Sequence, residues 1–246
     1  MEDLILSEGQ YRQLLVGLRV TLSVLGWSFL LGVVLSLSVG VMRLSSNRVV
    51  RGVALVYVEF ARGISSIILL FIMAYAIPIL FGFQQGSRLL LASLALGLNM
   101  GGYGAEIVRG SILAVPKGQT EASIALNLTP FQRLRFVVLP QALRIILPPF
   151  GNLTIEILKG TALVSLIALT DLMQVVSIIR QQQLANQVSD VTGLFVNVLM
   201  IYFVIAQVIN GVFRLAERAL DRRFSSRPGD LPTLGGPATA AAGAGG

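Results

Sequence analysis

The 246-residue chain is 54% hydrophobic and only 13% charged, with a net charge of +7, where a soluble domain would carry about 25% charged residues. That leaves too little polar surface to coat a water-exposed globule, so the chain is expected to be an integral membrane protein. It has no cysteine and no histidine, which excludes disulfide scaffolds, Cys/His zinc sites, thiol nucleophiles and Ser-His-Asp machinery; without a GxxxxGK[ST] stretch it has no P-loop of its own.

In chain order, the start MEDLILSEGQ is acidic and has no basic n-region or small-residue cleavage site, so the first hydrophobic stretch is expected to be retained. Apolar runs follow at Leu14–Val41, Val53–Phe81, Leu89–Leu113, Leu143–Leu169 and Gly193–Leu215, which predicts five transmembrane helices and an all-α polytopic fold. Sorting the basic residues by loop gives the orientation. Arg43, Arg48 and Arg51 follow the first run, and Arg109, Lys117, Arg133, Arg135 and Arg144 surround the connection after the third. Arg214, Arg218, Arg222, Arg223 and Arg227 follow the fifth, making thirteen on one side, against Arg12, Arg88 and Arg180 on the other. This bias predicts an outside N-terminus, a cytoplasmic C-terminus and a cytoplasmic connection between the third and fourth runs. A pI near 10.5 is then a topology signal, and no nucleic-acid partner is expected. The Gly-, Ala- and Pro-rich residues 225–246 are predicted to be a disordered cytoplasmic tail behind a membrane domain of residues 1–224.

The connection Val115–Ile145 is the one substantial polar segment. It predicts two short helices. Thr120 would cap a helix starting at Glu121, Asn127 would take the left-handed conformation that ends it, and Pro130 would open the second helix after Thr129. Ile124, Leu126 and Leu128 are apolar on a loop that should face water, which suggests a partner surface; the alternative is an amphipathic connector packed on itself along the membrane.

At this point the sequence resembles a family. Glu121, Ala122, Ser123, Asn127, Val137, Leu139 and Pro140 fall at the spacing of the cytoplasmic "EAA" loop of ATP-binding-cassette (ABC) importer permeases, with Ser for Ala, Asn for Gly and Val for Ile. Asn tolerates positive φ well, so the turn survives the exchange. The stretches Tyr57–Gly63, Leu98–Gly110, Val115–Gly118, Leu139–Asn152 and Leu158–Ser165 look like polar amino acid uptake permeases of the histidine/glutamine type, over roughly residues 10 to 225. The resemblance implies an ABC type I importer permease in the inner membrane, with a coupling loop at about 115–141 in which Glu121, Ala122, Ser123, Asn127, Leu139 and Pro140 meet the ATPase. It further implies a second permease subunit, a cytoplasmic ATPase dimer that carries the ATP and Mg, and an external solute-binding protein that delivers the polar amino acid. This chain would bind no cofactor and catalyse nothing itself. Two departures stand out: Arg62-Gly63-Ile64-Ser65 replaces a frequent Arg-Gly-Thr-Pro, and Lys159-Gly160-Thr161-Ala162 replaces a frequent Lys-Asp-Thr-Ser. The lost Asp argues against a cationic ligand.

Ionisable groups inside spans mark function by default. An acid, a base three residues on and then glycine recur as Glu59/Arg62/Gly63, Glu106/Arg109/Gly110 and Glu156/Lys159/Gly160. The spacing allows each pair to meet on one helical face, and each glycine is expected to admit a neighbouring backbone. Asn99, Tyr103 and Glu106 form one polar stripe. A substrate path is therefore expected in which Lys159 or Arg62 holds a carboxylate, Glu156 meets an ammonium, and Asn99 and Tyr103 orient the ligand. The alternatives are self-neutralising pairs between helices, a subunit that gates without touching ligand, or an ion-gradient-driven secondary transporter or channel for small polar solutes. Pro116, Pro140, Pro148 and Pro149 border or interrupt helices and are candidate hinges.

Overall fold

The computed structural model describes residues 6–82, 88–185 and 191–224. Among them the chain is helical throughout, with no strand. The predicted tail, residues 225–246, lies outside the described residues.

Helix α1 (Glu8–Met42) opens on a capping box in which Ser7 and Gln10 satisfy each other's backbone N–H. It packs along its length on α5 (Arg88–Leu113), the central helix. Gly32 lies against Met100 and Gly40 against Val108, a constant offset that makes the two helices parallel. Small residues at these crossings let the backbones approach closely, the usual solution where lipid offers no hydrophobic drive between helices. Met100, Leu96, Val24, Phe150 and Leu158 fill the main core around α5.

The second apolar run is not one continuous span. Helix α2 (Arg48–Gly63) stops at Ile64, and the helix resumes as α3 (Ser66–Phe71), a wide π-type turn over Ile72–Ala76 and α4 (Ile77–Phe81), with a bend of 102° at the break. The expected span Val53–Phe81 is corrected accordingly. Ile64 and Ser65 both take extended backbone angles there. The carbonyls that the break frees are met from α5: Asn99 Nδ2 donates to Ala61 O at 2.9 Å, and the Tyr103 hydroxyl donates to Arg62 O at 3.3 Å. A helix can break at membrane depth only where neighbours satisfy its backbone in this way.

Helices α6 (Lys117–Ala125) and α7 (Pro130–Arg133) form the polar connection, and a second π-type turn over Leu134–Val138 leads into α8 (Leu139–Gly160). Each π-type turn ends two residues before a proline, Pro78 or Pro140. A proline ring clashes with the carbonyl four residues back, and the wider turn relieves that clash. Helix α8 tightens into a 3₁₀ segment, Thr161–Ile167, which ends at Ala168 with φ 55°. Helix α9 (Leu172–Ala185) lies between the fourth and fifth apolar runs, where the sequence predicts no element. Its N-terminus is held by Asp171, whose two carboxylate oxygens accept from Met173 N and Gln174 N. Helix α10 (Val191–Phe224) then runs antiparallel to α8, with Gly151 against Phe213.

Three helical stretches among the described residues are long and apolar enough to cross a bilayer: Glu8–Met42, Pro130–Ile167 and Val191–Arg222. The bent pair makes a fourth if it is counted as one span. Helix α5, at 26 residues about 39 Å long, has the length, but its interior position lets it carry Asn99, Tyr103, Glu106 and several glycines in place of lipid-facing apolar residues.

Candidate functional site

Three helices build the site. The last turn of α2 supplies Arg62, α5 supplies Tyr103, Glu106 and Ile107, and α8 supplies Pro149, Asn152, Leu153 and Glu156; together they line a cavity of about 360 Å³. The α8 contributions recur at three- and four-residue steps, so one helical face points inward. The Arg62 guanidinium lies 5.7 Å from the centre of the Tyr103 ring, a cation–π arrangement that orients it towards the cavity wall.

Glu106 is committed elsewhere. Its Oε2 accepts from Arg109 Nε at 2.9 Å, with Arg109 Nη2 at 2.8 Å completing the ion pair, and Arg43 Nη2 stands 2.9 Å from Oε1 as an ion pair outside hydrogen-bond geometry. The Glu106 side chain is 19% exposed and that of Arg43 14%. The parallel register of α1 and α5 makes this cluster, because it brings the C-terminal ends of both helices together. Glu59/Arg62 and Glu156/Lys159, by contrast, make no ion pair among the described residues. Of the three repeated acid/base units, one closes on itself and two do not.

The candidate path residues are thus divided. Arg62, Tyr103 and Glu156 share the cavity. Asn99, only 7% exposed, is engaged at the α2 break, where it also accepts from the Ser66 hydroxyl at 3.3 Å. Lys159 lies in a different, largely apolar cavity of about 1010 Å³ between α8 and α10. The glycines of the repeat do not act as expected: a Cβ at Gly63 or Gly110 would meet nothing within 4 Å, and one at Gly160 only Leu96 at 3.7 Å. Close approach falls to Gly102, where an added Cβ would lie 2.6 Å from the Ala61 Cβ.

At the connection, Asn127 has φ 53°, as the spacing predicts, and Thr129 caps α7 through a capping box with Gln132, with Pro130 in the first turn. Thr120 does not cap the preceding helix, which begins three residues earlier at Lys117 after Pro116. The extra turn follows from Pro116, whose fixed φ pre-forms a helix start. Thr120 O instead accepts from the Ser123 hydroxyl at 2.6 Å. Ile124 and Leu126 are exposed, Leu126 by 74%, as are Phe131 and Phe136 further along the connection; Leu128 is half-buried.

The sequence profile of binding-protein-dependent transport system inner membrane components matches residues 28–225. The chain belongs to this family. It is 42% identical over 211 residues to a probable amino-acid ABC transporter permease of Sinorhizobium fredii, covering 84% of this chain and 86% of that one. It is 33% identical over 209 residues to the glutamine transport system permease of Escherichia coli K12, covering 84% and 92%. A crystal structure of an amino acid ABC transporter with histidines superposes with a TM-score of 0.74 at 31% identity, over 85% of this chain and 94% of that one. The fold is that of an ABC type I importer permease, and the chain is a multi-pass permease subunit of an ABC importer. The ion-gradient-driven alternative is set aside by that membership.

In this inner membrane component, sequence reasoning missed Asn152 and Pro149 as cavity residues and Arg43 as the partner of Glu106. Asn152 carried a signal, since it stands four residues before Glu156 on the same helical face. Arg43 carried none, because it sorts with the loop charges and meets Glu106 only through packing of α1 on α5.

Proposed function

We propose that this permease passes a neutral polar amino acid, delivered by an external solute-binding protein, through the cavity between Arg62 and Glu156. The observation that carries the reading is the charge inventory of that cavity. Glu106 is engaged by Arg43 and Arg109, which leaves Arg62 and Glu156 as one cation and one anion without ion-pair partners among the described residues. They complement the carboxylate and ammonium of a zwitterion and leave no charge for a third ionised group. Tyr103 and Asn152 add hydrogen-bonding capacity, and Asn99 holds the break that positions Arg62. The proximity favours Arg62 over Lys159 as the carboxylate partner. In uptake by the reconstituted transporter, Arg62→Gln and Glu156→Gln are each expected to raise the half-saturating amino acid concentration about ten-fold, the worth of one charge-assisted hydrogen bond, with Lys159→Met close to the unsubstituted protein. Unchanged uptake in both cavity variants would overturn the assignment.

The energy comes from a partner. ATP and Mg belong to a cytoplasmic ATPase dimer docked on the Glu121–Pro140 segment of this chain and of a second permease subunit. Exposed Ala122, Ile124 and Leu126 support that docking, and the thirteen-to-three distribution of basic residues supports a cytoplasmic location for it, with the N-terminus outside. Ala122→Asp puts an unpaired carboxylate into the docked surface at a cost of about 2 kcal/mol, roughly thirty-fold in association. The expected result is ATPase that co-purifies poorly and uptake that falls with it. Normal co-purification and uptake would show that Ala122 lies outside the coupling contact.

A further inference from the structure

A separate cavity of about 730 Å³ lies between the α1–α2 turn and the α6–α7 connection, outside the site described above. Its body is apolar, formed by Val41 and Met42 from α1, Ile112 from α5, and Leu134 and Val138 from the π-type turn. Its polar lining consists of Ser45, Ser46, Lys117, Thr120 and Arg133, with no carboxylate. The positive character extends beyond the lining. Arg48 and Arg51 flank the lining residue Val50 in the first turn of α2, which holds no acidic residue, and the helix N-terminus adds its own partial positive charge.

Arg133 is underused where it stands. Its Nε is buried without a hydrogen-bond partner, and Nη2 reaches only Leu128 O at 3.5 Å. The Ser45 oxygen accepts from Asn47 N, which leaves its hydroxyl hydrogen available to donate. An apolar body with a cationic, hydroxyl-bearing lining, at the bundle end where the basic residues gather, matches a molecule with an acyl chain and a phosphate. We propose that this cavity binds one anionic phospholipid, its chain against Val41, Met42 and Ile112 and its phosphate between Lys117 and Arg133. The lipid would tie the coupling connection to the end of α1, so that the membrane supplies part of the joint through which the ATPase works.

The test uses the transporter purified with its ATPase, by native mass spectrometry and by thermal unfolding with added lipid. Phosphatidylglycerol is expected to be retained and to stabilise, phosphatidylcholine much less, and the difference should shrink as ionic strength rises. Lys117→Gln with Arg133→Gln is expected to weaken phosphatidylglycerol retention about thirty-fold, on the scale of two surface cations facing an anionic lipid. If that pair fails to assemble, Ile112→Trp fills the apolar body instead and should displace the lipid with the charges intact. Equal retention of both lipids, indifference to salt, or equal stabilisation by inorganic phosphate alone would overturn the proposal. So would displacement of the lipid by the ATPase, since the cavity would then belong to the docking surface.

Discussion

Glu106→Ala is expected to lower stability by about 3 kcal/mol, the low end of the cost of breaking a buried ion pair, because the side chain keeps 19% exposure. The change strands two guanidinium groups, Arg43 and Arg109, at the joined ends of α1 and α5. For a chain of this size that corresponds to a fall in Tm of about 6–12 °C in a detergent-solubilised unfolding experiment. Packing loss alone is separated by a triple replacement, Arg43→Met with Glu106→Met and Arg109→Met. Removing all the charges from a buried cluster is commonly neutral or stabilising, so the triple variant should recover most of the loss. A triple variant as unstable as Glu106→Ala would mean that the cluster contributes by volume and not by charge pairing.

Gly102→Leu is expected to cost about 3 kcal/mol as well, the upper part of the range for overpacking. A Cβ at Gly102 would already stand 2.6 Å from the Ala61 Cβ and 3.5 Å from Arg62 Cγ, and a leucine adds three more carbons beyond it. Helix α2 must move away from α5, which stretches the Asn99–Ala61 hydrogen bond and displaces Arg62 from the cavity. Stability and uptake should therefore fall together, while Gly102→Ala gives a smaller loss of both. Gly63→Ala is the control. Gly63 follows Arg62 directly and belongs to the repeated acid/base/glycine unit, yet a Cβ there meets nothing, so a change within about 0.5 kcal/mol is expected. A large loss at Gly63 with a small one at Gly102 would reverse the assignment of which glycine carries the helix contact.

These two variants also mark where the sequence stopped being informative. The polar connection between α5 and α8 was legible almost residue by residue: Asn127 adopts positive φ and Thr129-Pro130 opens α7, because both signals are local and depend on a few dihedral preferences. The start of α6 was displaced by one turn, since Pro116 competed with Thr120 for the cap position and prevailed. The break in the second run was less legible. Gly63-Ile64-Ser65 is compatible with a continuous helix, and the bend persists because Asn99 and Tyr103, from a helix some forty residues away, accept the burden of the freed carbonyls. Helix α9 escaped notice for a related reason: its cap at Asp171 is local, but its burial rests on α1, where Leu172 N donates to the Thr21 hydroxyl at 3.0 Å.

What the sequence determined alone was whatever depends on composition, hydropathy and spacing along one helix: a membrane protein, its apolar runs, a bias of basic residues between its loops, and a polar connection of recognisable EAA pattern. The tertiary structure decided which polar groups of equal standing in the sequence do which work. Glu59, Glu106 and Glu156 each precede a base by three residues, yet only Glu106 is neutralised, because the parallel glycine-mediated packing of α1 on α5 brings Arg43 to it. Helical periodicity specifies the face a residue occupies and says nothing of what lies opposite that face. That is set by register between helices far apart in the chain, and it is the register that leaves Arg62 and Glu156 facing one cavity and sends Lys159 to another.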